Sequence, residues 1–253
     1  MEPPTEETKK TAANTVPKDN RAKIVEKHKH IPARGMISNL ALGLTDGVVT
    51  NVAFLAGFAG AISSLEFIRI AGIASMLAGT VAMFFGGLNS ARSEEDLFRE
   101  DARREMSEIE SEPEEEKQEL KNFYLSKGLT TEESEIVIRR ITKDKRKWLD
   151  DLLMHELHLH KEELENPLKV AGVIGVAFLI GALVPLCSYL FFAEKSPAIE
   201  FSVLSSLIFL FLLGGWKGRL SGRKFLRAGF EMFLFGAAAS AILFLIGSLL
   251  VFA

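Results

Sequence analysis

The stretch MISNLALGLTDGVVTNVAFLAGFAGAI, residues 36–62, decides how this chain folds. Apart from Asp46 it contains no ionisable side chain, and about 20 apolar residues are enough to cross a bilayer. A carboxylate inside such a span costs about 2.5–3.5 kcal/mol on insertion scales, so it is by default a site for an ion, a proton or a substrate. The alternative is an Asp near a helix end that reaches the interface or caps a neighbouring helix.

Four further apolar stretches share the length and character of the first. They cover residues 67–89, 169–193, 198–216 and 228–251, and each contains glycine, which is frequent in membrane helices. One such helix could lie in the core of a soluble protein, but five in one chain favour a membrane protein. The sequence therefore predicts an all-α, polytopic membrane protein with five transmembrane helices, grouped as residues 36–89 and 167–253.

The basic residues orient these spans. The net charge of −3 over 253 residues is a total over unlike parts, because long apolar stretches carry few charges and the middle segment carries many. Lysine and arginine are concentrated before the first span and between the fourth and fifth, at Arg21, Lys23, Lys27, Lys29, Arg34, Lys217, Arg219, Arg223, Lys224 and Arg227. By the positive-inside rule, the N-terminal segment 1–35 and the middle segment 90–166 are cytoplasmic. Segment 1–35 lacks the apolar core of a signal peptide and is predicted to be partly disordered.

The middle segment, residues 90–166, is predicted to be a helical domain inserted between the second and third spans. SEEDLFREDARREMSEIES has few helix breakers, Pro113 suits the first turn of a second helix, and Gly128 suits its end. Thr130 and Glu133 have the spacing of a capping box at the start of a third helix. A last helix leads back to the membrane.

Two Glu-x-x-Glu pairs in this segment could hold a divalent cation. Residues three apart lie on one face of a helix, so each pair presents two carboxylates together. The candidate metal ligands are Glu105, Glu108, Glu116, Glu119 and Glu156, with Met154 and His155 as further candidates. Carboxylate and imidazole suit Fe²⁺ and Mn²⁺, whereas a thioether favours softer ions. The alternative is a solvated acidic face paired with nearby arginines.

Other motifs, present or absent, exclude several classes of function. MHELHLH does not match the HExxH pattern of zinc proteases, because Leu159 occupies the place of its second histidine, although a zinc site from this cluster stays open. No P-loop, dinucleotide-binding, GxSxG or nucleic-acid-binding motif occurs in the sequence, so neither an ATP-driven pump nor a nucleic-acid partner is expected. The single cysteine, Cys187, excludes an intrachain disulfide.

Two more residues at membrane depth are candidates for the transport path. Met83 lies late in the second span, where its thioether could face Asp46 across a helix or dimer interface and provide one soft and one hard ligand. The alternative for Met83 is ordinary packing. Glu231 lies early in the fifth span, and its alternative is an interfacial ion pair with Arg227 or Arg223.

Four stretches resemble the vacuolar iron transporter family in order and spacing. They are TDGVVTNVAFLAGFAGA in the first span, AGTVAMFFGGLNSARSEEDL in the second, NPLKVAGVIGVAFLIGALVPL in the third and WKGRLSGRKFLRAGFEM between the fourth and fifth. The resemblance covers nearly everything from residue 36 to the C-terminus. It implies a homodimer of five-span subunits that exchanges Fe²⁺, and often Mn²⁺, for protons, with the helical domain that marks full-length members.

The resemblance also assigns roles to individual residues. In the family, glutamates of the cytoplasmic domain gather metal, and an Asp and a Met line the transmembrane path; the matching positions are Glu105, Glu108, Glu116, Glu119, Glu156, Asp46 and Met83. This chain departs from the family at Leu152 and Leu153, where methionines can precede the last glutamate, and at Gly87, where many relatives have an acidic residue. Met154 and His155 are candidates to replace the missing methionines.

The sequence thus favours a proton-coupled transporter that moves divalent metal out of the cytoplasm, not an enzyme. Fe²⁺, Mn²⁺ or Zn²⁺ would be cargo rather than permanent cofactor, and the host would be a vacuolar or a prokaryotic cell membrane. One alternative is a membrane-anchored di-iron carboxylate oxidase, against which the lack of Glu-x-x-His in the middle segment counts. The other is a regulatory membrane protein whose helical domain binds a partner.

Overall fold

The computed structural model describes residues 32–155 and 165–250, and all regular structure in these ranges is helical. The described helices are α1 (Pro32–Ala61), α2 (Leu65–Ser111), α3 (Pro113–Ser126), α4 (Thr131–Ile141), α5 (Lys145–His155), α6 (Pro167–Phe191), α7 (Lys195–Leu220) and α8 (Phe225–Leu250). Five of them, α1, α2, α6, α7 and α8, are long and apolar enough to cross a membrane. The all-α prediction and the number of apolar spans are confirmed.

Helix α2 continues without a break from the second apolar stretch into the charged middle segment. It has 47 residues, which at 1.5 Å per residue gives about 70 Å, more than twice the hydrocarbon thickness of a bilayer. The sequence boundary at residues 89–90 is therefore a change of composition within one helix. No glycine or proline follows Gly87 until Pro113, so nothing in the chain interrupts the helix there.

Glycines bring α1 and α6 together backbone to backbone. A Cβ added at Gly43 would collide with the carbonyl oxygen of Ile174, and one at Gly47 with the carbonyl oxygen of Phe178. From the other side, Gly181 of α6 lies against the backbone of α1. Such close approach is typical of membrane helices, which gain van der Waals contact where the hydrophobic effect offers little.

Helix α6 also packs along α2, and α1, α2 and α6 share a buried cluster that includes Leu55, Ile68 and Leu186. Phe178 fills the space above Gly79 of α2, and Gly175 lies against Thr80 and Phe84. At the other end of this interface, Arg69 donates from Nε to the carbonyl oxygen of Tyr189 at 2.6 Å and from Nη2 to that of Phe192 at 2.8 Å, which caps the end of α6.

The remaining spans are packed by the same means. Gly57 and Gly60 of α1 face the backbone of α8, and Gly214 and Gly218 of α7 face α8 near Ala228. A tight turn joins α7 to α8 at Gly222, whose φ of 72° lies in the left-handed region that favours glycine.

The helical domain, which comprises α2 from residue 90 together with α3, α4 and α5, has a side-chain core. Ile109, Leu120, Ile138, Trp148 and Leu152 form one buried cluster that draws on all four helices. The predicted Pro113 and Gly128 signals are confirmed at the ends of α3, with Gly128 at φ 92°. The capping box of α4 is also confirmed, because Thr130 and Glu133 exchange side-chain and backbone hydrogen bonds.

Candidate functional site

Asp46 lies in the middle of α1, half-buried and next to the contact with α6. Gly47, the following residue, packs on the α6 backbone, so the position of the Asp46 backbone is fixed by that contact. The hydroxyl of Thr50, one turn further along, lies 3.5 Å from Oδ1 of Asp46 and donates to it. Within the described residues no basic side chain forms an ion pair with Asp46, so its charge is available to a cation or a proton.

Two buried polar groups near Asp46 were missed by sequence reasoning. Asn51 is 1% exposed; its Nδ2 donates to the carbonyl oxygen of Gly47 at 3.0 Å, and its Oδ1 makes no hydrogen bond with any described residue. The hydroxyl of Thr45 is buried and also lacks a hydrogen bond within the described part of the chain. The signal was present in the sequence as an Asn and a Thr inside an apolar stretch. This part of α1 is therefore more polar than its charge alone indicates.

Met83 lies on α2, half-buried, between Thr80 and Phe84, which both contact Gly175 of α6. Asp46 and Met83 thus stand on two helices that pack against the same neighbour. That they line one ion path stays a prediction.

Glu231 forms an ion pair with Arg223. Its Oε2 lies 2.5 Å from Nη2 of Arg223, and both side chains are about half exposed. The structure therefore agrees with the ion-pair alternative, with Arg223 as the partner, and a role for Glu231 in the ion path stays a prediction.

The four described glutamates of the helical domain differ in burial. Glu105 on α2 is 2% exposed and Glu116 on α3 is 5% exposed, whereas Glu108 is half-buried and Glu119 is exposed. Burying a carboxylate is costly unless it is paired or hydrogen-bonded, so the fold must supply polar partners to both buried acids. In the described ranges, no three acidic, histidine or cysteine side chains lie close enough to hold a metal ion together. Glu156 lies outside the described residues, and the five-glutamate site stays a prediction.

The arginines that could neutralise these glutamates mostly pair with other acids. Arg99 contacts Glu95 at 2.5 Å, Arg103 contacts Glu100 at 3.2 Å and Arg104 contacts Asp101 at 3.2 Å. Arg104 lies farther from Glu105, at 3.9 Å. A solvated acidic face paired with arginine therefore describes the outer surface of α2 better than it describes the buried Glu105.

The two candidates for the missing methionines are placed differently. Leu152 and Leu153 are buried, and Leu152 belongs to the core of the domain. Met154 is 43% exposed. His155 instead lines a pocket together with Glu119 of α3. Of the two, His155 thus shares a cavity with a candidate glutamate.

These features define a class: an all-α protein with five apolar, span-length helices and an acidic helical domain between the second and third. The sequence model of the VIT family matches residues 37–248, and the chain belongs to this family. The resemblance to vacuolar iron transporters is thereby confirmed.

Curated relatives agree over most of their length. The chain is 34% identical to vacuolar iron transporter 1 of Arabidopsis thaliana over 85% of this chain and 86% of the relative. It is 32% identical to vacuolar iron transporter 2 of Oryza sativa subsp. japonica over 85% and 88%. A vacuolar iron transporter of Toxoplasma gondii is 29% identical over 85% and 74%.

Proposed function

We propose that this protein exports divalent metal from the cytoplasm in exchange for protons, with Fe²⁺ as the main cargo and Mn²⁺ and Zn²⁺ as further cargo. The names of its relatives support iron, and membership of the VIT family favours a transporter over a di-iron oxidase or a regulatory protein. The observation that carries the proposal is Asp46. This carboxylate lies half-buried in an apolar helix and forms no ion pair with any described residue.

The chemistry of exchange follows from a single carboxylate with two competing ligands. A metal ion and a proton cannot occupy Asp46 together, since protonation removes the charge that binds the metal. A cation arriving from the cytoplasm would bind Asp46 with Thr50 beside it, and the thioether of Met83 would add a soft ligand suited to Fe²⁺. A proton from the far side would then displace the metal.

The helical domain would serve as the collector of metal. Glu105, Glu108, Glu116 and Glu119 all lie on α2 and α3, and Glu156 follows the described end of α5. A concentration of carboxylates raises the local concentration of cations and so the rate at which they reach the pore. Since α2 carries both Glu105 and Met83, one helix would connect the collector to the path.

We further propose that two copies associate through α2. Only 17% of the apolar window of α2 is buried, the same share as for α8 and less than the 50% of α1 and of α6. Its uncovered face combines bulky residues, among them Leu77, Val81 and Phe85, with small ones at Ala74, Ala78 and Ala82. Small residues at four-residue spacing let helices approach closely. In a Cys187→Ser background, oxidation of an Ala78→Cys variant should give a cross-linked dimer, and a monomer alone would refute this arrangement.

The names of the relatives support a vacuolar membrane as host, with a prokaryotic cell membrane as the alternative. Segment 1–35 and the helical domain would face the cytoplasm. This orientation places the basic residues of the α7–α8 turn on the cytoplasmic side, as the positive-inside rule requires. Lys217, Arg219 and Lys224 are exposed there and free to face anionic headgroups.

The test is transport by the purified protein in liposomes. Fe²⁺ uptake driven by a pH gradient should be strong for the native protein and at background for Asp46→Asn, which keeps the size of the side chain and removes its charge. Glu231→Gln is the matched control, because it removes the other acid at membrane depth and should retain most of the flux. Undiminished uptake by Asp46→Asn would refute the proposal.

A further inference from the structure

We propose that His155 binds metal through its Nδ1 as a nitrogen ligand of the helical domain, and that Asp151 and Tyr124 are positioning residues that hold its imidazole. The inference rests on the proposed metal capture by this domain and adds a ligand set and an ion preference to it.

The first observation is a pocket between α3 and α5. Its volume is about 290 Å³, and it is lined by Glu119, Leu120, Asn122, Phe123, Leu152 and His155. A carboxylate and an amide from α3 therefore share this space with an imidazole from α5. The other lining residues are apolar, so the polar groups are the ones that a cation would contact. The volume leaves room for an ion that keeps part of its water shell.

The second observation is that aromatic rings fix the orientation of the imidazole. The rings of His155 and Phe123 stack with centroids 3.9 Å apart and planes inclined by 27°. Tyr124 contacts the same imidazole edge-on at 5.8 Å. A side chain held on two sides loses little rotamer freedom when it binds a ligand, which favours binding.

The third observation is a carboxylate behind the imidazole. Nε2 of His155 lies 3.3 Å from Oδ1 of Asp151, and the hydroxyl of Tyr124 donates to Oδ2 of Asp151 at 2.8 Å. This contact is within ion-pair distance, and a carboxylate placed at one ring nitrogen of a metal-binding histidine orients the ring and makes the other nitrogen a better ligand. Here that other nitrogen is Nδ1, which makes no hydrogen bond within the described residues.

The Tyr124 hydroxyl is suited to its place in this chain of contacts. Burial, together with the hydrogen bond to Asp151, raises the pKa of Tyr124 well above its ordinary value. The hydroxyl therefore stays protonated and remains a donor to Asp151. Tyr124 thus holds Asp151, and Asp151 holds His155, at the wall of the pocket that contains Glu119.

An imidazole in place of a thioether changes the expected ion preference. Imidazole suits Fe²⁺, Ni²⁺ and Zn²⁺, whereas sites built of oxygen alone suit Mn²⁺. We therefore expect the domain to bind Zn²⁺ more tightly than Mn²⁺, and the difference to depend on His155.

The direct test is pulsed EPR of the full-length, detergent-solubilised protein loaded with one equivalent of Cu²⁺. The spectrum should show the nitrogen modulation of a bound imidazole, and His155→Gln should lose it. A variant with His158→Gln and His160→Gln is the matched control and should keep it. Persistence of the modulation in His155→Gln, or its loss only in the control, would overturn the inference.

Calorimetric titrations with Zn²⁺ and Mn²⁺ test the positioning residues. Asp151→Asn and Tyr124→Phe should weaken Zn²⁺ binding about 10- to 100-fold, the usual effect of removing a group that orients a ligand, and weaken Mn²⁺ binding less. Tyr124→Phe keeps the ring contact with His155, so it remains informative if Asp151→Asn fails to fold. Equal losses for both metals would overturn the assignment of these roles.

Glu116→Gln separates this inference from the function on which it rests. If Glu116→Gln weakens Zn²⁺ binding while His155→Gln leaves it unchanged, the domain collects metal without His155 and only the inference fails. If the native domain binds neither metal, the proposed collection of metal fails as well.

Discussion

The membrane spans and the helical domain hold their helices together in different ways. Helices α1 and α6 meet through backbone at Gly43, Gly47 and Gly181, whereas the domain is built around bulky side chains such as Leu120 and Trp148. In water, burial of apolar area drives association; in lipid, it offers little, and close contact must replace it. Helix α2 takes part in both arrangements. A substitution in one region can therefore be compared with the unchanged other region of the same protein.

The largest effect is expected from the core of the domain. Leu120→Ala should lower the free energy of unfolding of the domain by about 2–5 kcal/mol, because Leu120 is 1% exposed and its loss leaves a cavity. Leu125→Ala, on the same helix but at the surface, is the matched control and should change little. Thermal unfolding of the solubilised protein, followed by circular dichroism, should then show the domain melting before the spans. A single unshifted transition would contradict a separate side-chain core.

The reverse perturbation is a methyl group at the α1–α6 contact. Gly47→Ala places a Cβ against the Phe178 carbonyl and should cost about 1–3 kcal/mol, the usual range for an overpacked site. The added methyl group would displace α1 and with it the adjacent Asp46, so Fe²⁺ flux should fall too. Gly172→Ala is the control, since a Cβ at Gly172 meets nothing within 4 Å. If both variants melt and transport alike, backbone contact does not hold these spans.

The two regions should also respond differently in transport. Glu116→Gln should raise the metal concentration for half-maximal flux about tenfold, which corresponds to about 1.4 kcal/mol, and leave the maximal rate nearly unchanged. The reason is that Glu116 would capture the ion, whereas Asp46 would move it. Glu114→Gln, on the same helix and paired with Lys117, is the matched control. A loss of maximal rate in Glu116→Gln would show that the regions do not divide the work in this way.

Much of the fold was predictable because each element carries a local signal. Five apolar stretches and the Thr130–Glu133 capping box predicted the helices correctly, since both depend on neighbouring residues. The continuity of α2 was not recognised, because hydropathy changes at residue 90 while the backbone does not. The α1–α6 contact could not be predicted either, since it depends on which glycines face each other in space.

The candidate site was predictable only in part. Asp46 stands out in the sequence because an acid in an apolar stretch is costly. Asp151 does not, because it resembles any surface acid until α3 brings Tyr124 to it. The i, i+4 spacing of Asp151 and His155 was the one signal available, and it lay beside a more conspicuous run of histidines.

A smaller effect is expected at the start of α4, which begins with a capping box; among the spans, α6 is capped by Asn166, whereas α2 and α7 begin without a side-chain cap. Thr130→Ala removes the capping box and should cost the domain about 1 kcal/mol. Thr131→Ala, one residue further and without a part in the box, should cost less. The shift in the melting of the domain measures both. Equal shifts would mean that the box contributes nothing beyond helix propensity.

The smallest effect is expected on lowering the pH, which should destabilise the helical domain more than the membrane spans. Hydrogen bonds from Lys145 and Lys121 hold the pKa values of Glu110 and Glu135 below their ordinary range, and the Thr130 backbone N–H does the same for the pKa of Glu133. Each group therefore adds stability that is complete above the unfolded value of about 4.3 and is lost as the pH falls through the lowered folded value. The melting temperature of the domain should therefore fall as the pH is lowered through this range.

Lys145→Met should make the fall of melting temperature with pH shallower, because it removes the partner of Glu110. Lys143→Met is the control and should leave this dependence unchanged, since Lys143 forms no ion pair in the described residues. The spans serve as the internal reference in the same melting curves, since α1 and α6 are joined by glycine contacts that do not titrate. If the spans lose stability over this range as steeply as the domain, charge contributes to both regions, and the contrast between a glycine-packed membrane part and a charged, side-chain-packed domain does not hold.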